Sequence, residues 1–83
     1  MLLNQSVAVV IPAYNEQTLL LKTLEGIPAY VDAIVVVDDA STDETLAVAQ
    51  RFEDGRLDVV QHETNQGVGA AIVSGYRRSL ELG

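Results

Sequence analysis

A chain of 83 residues with a net charge of −7 and no cysteine holds one domain at most, without a disulfide framework or thiolate metal site. Its 48% apolar fraction argues against disorder, and no apolar run approaches the roughly 18 residues of a membrane span. Nucleic acid is excluded as a partner, because phosphate neutralisation needs clustered Lys and Arg and only Arg77 and Arg78 are adjacent. Strand one is expected at about Ser6 to Ile11, apolar on both faces as a strand covered by helices should be. Pro12 should end it by removing a ladder donor. Asn15 reads as the cap of a first helix that carries Leu20, Leu24 and Ile27 at helical spacing. Gly26 and Pro28 stop that helix.

Strand two is expected at about Ala33 to Val37, where four of five residues are β-branched. Ser41 and Glu44 have the spacing of a capping box for a second helix whose inner face is Leu46, Ala49 and Phe52. Asp54-Gly55 is a turn signal, and strand three follows at about Leu57 to His62. A third helix, about Val68 to Leu82, should bury Val68, Ile72, Tyr76 and Leu80, with Gly83 at its cap position. Gly69 and Gly75 read as points of helix-to-sheet packing. His62 has no second ligand at metal spacing, so it reads as a surface histidine at a strand end.

Three strand-then-helix repeats predict an α/β fold with a parallel sheet and right-handed crossovers. The most economical order is 3-2-1, with strand one at an edge. Yet Val7 to Ile11 carries no charge to discourage edge pairing. Residues 1–83 therefore read as the first part of a larger domain, expected to self-associate through its sheet edge or helix faces.

Chemistry gathers at two strand ends, VVIPAYNE (Val9–Glu16) and VVVDDAST (Val35–Thr42). Ligands of open α/β sheets bind outside the carboxyl ends of the strands, so Asn15, Glu16, Asp38 and Asp39 predict a small-molecule site. A dinucleotide fingerprint would need G-x-G-x-x-G where PAYNE stands. A phosphoacceptor receiver would place aspartates at the first strand and another at the third, where His62 and Glu63 stand. A non-catalytic nucleotide-binding or assembly module of the same fold is the alternative reading.

With NQGVGAAIVSGYRRSLELG at Asn65–Gly83, these segments resemble the N-terminal, nucleotide-binding part of family-two inverting glycosyltransferases. Those enzymes have the Rossmann-like GT-A fold, and the resemblance is to the polysaccharide and polyprenyl-phosphate branch. It implies transfer of a sugar from a nucleotide-diphospho-sugar, a UDP-sugar first and GDP-mannose next. It also implies that Pro12, Ala13, Tyr14 and Glu16 line the base and ribose pocket. Asp39 would accept a hydrogen bond from the base, with Asp38 beside it as a contact or as a loop cap. Asn65 and Gly67 could lie near the nucleotide, and a turn into the third helix explains them equally well. The family's Asp-x-Asp strand and its catalytic base have no match here, so no catalytic or metal-binding residue is assigned. Magnesium or manganese is expected in the full-length enzyme, while these 83 residues should bind none and be inactive alone. The expected setting is the cytoplasm or the cytoplasmic face of a membrane, with no membrane contact in this segment.

Overall fold

The computed structural model describes residues 7–82; Ser6 and Gly83, an expected strand start and helix cap, lie outside them. The elements are β1 (Ala8–Ala13), α1 (Gln17–Glu25), β2 (Ala33–Asp38), α2 (Thr45–Arg51), β3 (Leu57–Gln61) and α3 (Val68–Leu82). The three strands are parallel in the order β1-β2-β3, which is the expected 3-2-1 sheet seen from its other edge. Strand β2 lies in the middle, and its side chains Ile34 to Val37 are all 0% exposed. Alternation divides them between two layers. Ile34 and Val36 pack with Leu20, Leu24 and Ala49 of α1 and α2, while Val35 and Val37 pack with Ala71 of α3. Each fully buried valine contributes roughly 1.5–3 kcal/mol, which is why this apolar run occupies the centre.

Strand β1 runs through Pro12 instead of stopping before it. The carbonyls of Val7 and Ala13 accept bonds from the N–H groups of Ala33 (3.2 Å) and Asp39 (2.9 Å). Alternate residues in a parallel ladder face the same neighbour. Pro12 is out of phase with both, so its nitrogen faces the uncovered edge and no ladder bond is lost. The proline marks the edge, not the end.

The helix starts also differ from expectation. Glu16 and Glu44 occupy the cap positions of α1 and α2, and neither cap makes a side-chain bond. Asn15 and Ser41 bond each other's loops instead, as described below. On α2 the buried residues are Thr45 and Ala49. Val48 and Phe52 pack against the same core, whereas Leu46 is half-buried. At the opposite end of the sheet, Arg56 donates to the carbonyls of Pro28 and Val31, both at 2.9 Å, and to Asp54 at 2.8 Å.

Helix α3 has the expected period and the wrong expected phase. Val68, Ile72, Tyr76 and Leu80 are 66, 48, 60 and 63% exposed, whereas Ala71 is 0% exposed. A Cβ at Gly75 would fall onto the Val10 side chain and lie 3.0 Å from Val37 Cγ2. The small residues let the helix backbone settle onto the β1–β2 valines, and the bulkier stripe is rotated outward. Gly69, also expected at the sheet, has nothing within 4 Å of its Cβ position. Arg78 closes the inner face by pairing with Asp58 of β3.

Candidate functional site

At the carboxyl end of the sheet, the loops after β1 and β2 clasp each other. Asn15 adopts a left-handed backbone conformation (φ 52°), which asparagine tolerates better than most residues. Its N–H donates to Ser41 Oγ at 2.9 Å, and its Oδ1 accepts from the Thr42 N–H at 2.8 Å. The Glu16 N–H donates to Thr45 Oγ1 at 2.7 Å, and the Glu44 N–H to Gln17 Oε1 at 2.8 Å. Thr45 is 0% exposed, and its hydroxyl in turn donates to Asp43. Burial pushes the Asp43 carboxyl up, but hydrogen bonds from Thr45 and Gln17 outweigh it and leave the group below the usual carboxylate range. Much of the polar sequence in AYNE and DAST therefore joins two loops, while Glu16 is exposed.

Asp38 and Asp39 diverge. Asp38 continues the alternation of Ile34 and Val36 toward the α1–α2 layer. It is 1% exposed, and its Oδ1 has no hydrogen-bond partner among the described residues. Asp39 turns toward α3 instead. Its Oδ1 accepts from the Gln66 N–H (2.9 Å) and pairs with His62 Nδ1 (2.8 Å), while Oδ2 accepts from the Gly67 N–H (2.8 Å). The His62 bond first, then those two amides, hold its carboxyl below the usual range against the opposing effect of burial. Gly67 reaches this position at φ 92°, a conformation that glycine adopts without a Cβ penalty. Asn65 is exposed and donates weakly to the Asp39 carbonyl, at 3.4 Å.

Five of the six residues expected at the nucleotide meet here. Pro12, Ala13, Tyr14, Glu16 and Asp39 line a hollow of about 80 Å³ that Val68 and Ala71 complete. A second hollow of about 200 Å³ lies on the other side of the Pro12–Glu16 segment, bounded by Leu19, Leu20 and Thr23. Asp38 lines neither. Both are smaller than the ~300 Å³ at which ligand pockets begin. A larger concavity of about 430 Å³, lined by residues such as Leu21, Arg51 and Phe52, lies at the helix C-termini, away from the strand ends.

His62 is the residue that sequence reasoning misplaced. It is 8% exposed, with Nδ1 on Asp39 and Nε2 2.8 Å from Ser74 Oγ. The available signal was register: Asp38 is the partner of Gln61, so the residues following them are neighbours. Gln66, Ser74 and Thr45 carried no comparable signal. Among the described residues, no group of three His, Cys, Asp or Glu side chains could hold a metal ion, and no helix is long and apolar enough to cross a membrane.

Comparison with known proteins follows the same geometry. The chain is 27% identical over 95 residues to a UDP-N-acetylglucosamine–dolichyl-phosphate N-acetylglucosaminyltransferase of Methanococcus voltae, covering 96% of this chain and 38% of that protein. It is 38% identical over 81 residues to an undecaprenyl-phosphate mannosyltransferase of Micrococcus luteus, covering 93% of this chain and 33% of the relative. A succinoglycan biosynthesis protein of Rhizobium meliloti is 38% identical over 69 residues, covering 78% and 20%. The chain thus spans a little over a third of the relative's length at most. A family model, glycosyl transferase family 2, matches residues 8–80. That match runs from the first residue of β1 into the last turn of α3 and takes in both strand ends and the loop on Asp39, so the chain belongs to glycosyl transferase family 2.

Proposed function

We propose that this chain is the nucleotide-binding portion of an enzyme that moves a sugar from a nucleotide-diphospho-sugar to a polysaccharide or polyprenyl-phosphate acceptor. The carrying observation is the meeting of Pro12, Ala13, Tyr14 and Glu16 with Asp39 beyond the ends of β1 and β2. An ionised carboxylate only accepts, so it suits a ring N–H such as that of uracil, or the amino-bearing edge of guanine. A UDP-sugar is the first assignment and GDP-mannose the second; the names of the relatives include both a UDP-sugar donor and a mannosyl transfer. Polyprenyl-type phosphates in two of those names support the acceptor class.

Asp39 and Glu16 bring negative charge toward the place where the nucleotide would lie. The described residues do not suit a metal ion, so the magnesium or manganese that would offset this charge is assigned to groups elsewhere in the full-length enzyme. The setting that fits these acceptors is the cytoplasm or the cytoplasmic face of a membrane.

Calorimetric titration of this chain and of the full natural protein with UDP, GDP and CDP, with and without magnesium or manganese, tests the reading. The full protein should prefer UDP or GDP and depend on the metal. The chain alone should bind at best at roughly millimolar Kd, about 4 kcal/mol, and show no sugar transfer. Equal affinity for all three nucleotides, or none for any, would overturn the assignment.

A further inference from the structure

We infer that His62 is a positioning residue that sets which acceptor site of Asp39 remains open to a base. The inference rests on the reading of Asp39 as the base acceptor. An ionised carboxylate offers about four acceptor positions. Gln66, His62 and Gly67 occupy three of them, two on Oδ1 and one on Oδ2. The open position is therefore on Oδ2, and it stays there only while the carboxylate cannot turn. The two amides come from one loop, one to each oxygen. His62, the residue after β3, adds a second bond to Oδ1 from a separate element and further restrains rotation about the last side-chain bond.

The imidazole is itself held. Asp39 cannot donate while ionised, so Nδ1 carries the proton toward it, and Nε2 pairs with the Ser74 hydroxyl at 2.8 Å, which can accept from or donate to the ring. Ser74 lies on α3 (Val68–Leu82), the helix that begins directly after Gly67. A single chain of bonds thus ties β2, β3 and α3 around one carboxylate. The order Asp-His-Ser also occurs in nucleophilic catalysis. Here the backbone amides around Ser74 lie inside helix α3 and are committed to its ladder, unlike those of an oxyanion hole.

The test compares variants of the full natural protein by their affinities for UDP, GDP and the ring-N-methylated form of each. Methylation removes the N–H that Asp39 would accept, so the ratio of the two affinities reports the positioned acceptor. A merely structural role lowers stability without moving that ratio. His62→Gln retains reach toward Ser74 and removes the donor to Asp39; its ratio should fall about tenfold. His62→Asn places an amide N–H near the Nδ1 position and should keep most of the ratio. Ser74→Ala removes only the outer anchor and should give a smaller loss, about threefold. A wild-type ratio that survives in His62→Gln and Ser74→Ala would overturn this inference alone. A wild type that binds nucleotide but ignores methylation would overturn the base-acceptor reading, and this inference with it.

Discussion

Asp39 and His62 each stand one residue beyond a strand, and their side chains meet at 2.8 Å because the parallel register sets Asp38 opposite Gln61. The pair closes the top of the sheet between β2 and β3, while the Asp39 N–H continues the ladder to Ala13 on the other side. One residue thus joins all three strand ends and contributes the acceptor of the proposed site.

That double role predicts a double effect for Asp39→Asn in the full natural protein. The amide keeps one acceptor oxygen and points its NH₂ at a Gln66 or Gly67 N–H. Stability should fall by about 1–3 kcal/mol, and base recognition should weaken by a similar roughly 1–3 kcal/mol. Thermal melts and UDP titration on the same sample check both. Weaker binding at unchanged melting temperature would mean that the internal bonds contribute nothing.

Two glycines of α3 should respond oppositely to alanine. Gly75→Ala places a methyl on the Val10 side chain and 3.0 Å from Val37 Cγ2, forcing the helix outward at a cost of about 1–3 kcal/mol. Gly69→Ala meets nothing within 4 Å and should stabilise by about 0.4–1 kcal/mol by restricting the unfolded chain. Urea denaturation of the two variants measures the difference. Equal effects would place the phase of α3 in error.

Acid should loosen the lower end of the sheet. The Arg56 guanidinium beside Asp54 lowers its carboxyl from the usual 3.8 to about 2. A group with a depressed folded-state pKa stabilises fully above its unfolded value, and the contribution is lost as pH falls toward the folded one. Stability should therefore decline between pH ~4 and ~2 in part through Asp54, and Asp54→Asn should flatten that portion of the acid limb. Melting temperature against pH for both proteins gives the answer.

The chain by itself should self-associate. β1 is a sheet edge, unpaired strand edges recruit partners, and Ile72 and Tyr76 are 48 and 60% exposed on α3. Light scattering should show mass rising with concentration. The double variant Ile72→Glu/Tyr76→Lys should reduce the rise without loss of helical circular dichroism. A monomer at high concentration with protected β1 amides would refute this.

Sequence alone determined the three β-to-α repeats, their parallel order and the family, because β-branched runs and helical spacing express local preferences and a pattern of burial. It also placed Pro12, Ala13, Tyr14, Glu16 and Asp39 at strand ends, where strand-terminal position is a local property. Tertiary structure decided what those residues touch. The polar loops carry hydrogen-bonding groups that serve equally as caps or as cross-loop bonds, and only the proximity of β1 and β2 sends Asn15 to Thr42 and Ser41 to Asn15. Helix α3 has two stripes with the same spacing, and steric fit of Gly75 against Val10 and Val37 selects the less hydrophobic one. His62 became buried because register set it beside Asp39, a relation between residues 23 apart that no local preference encodes.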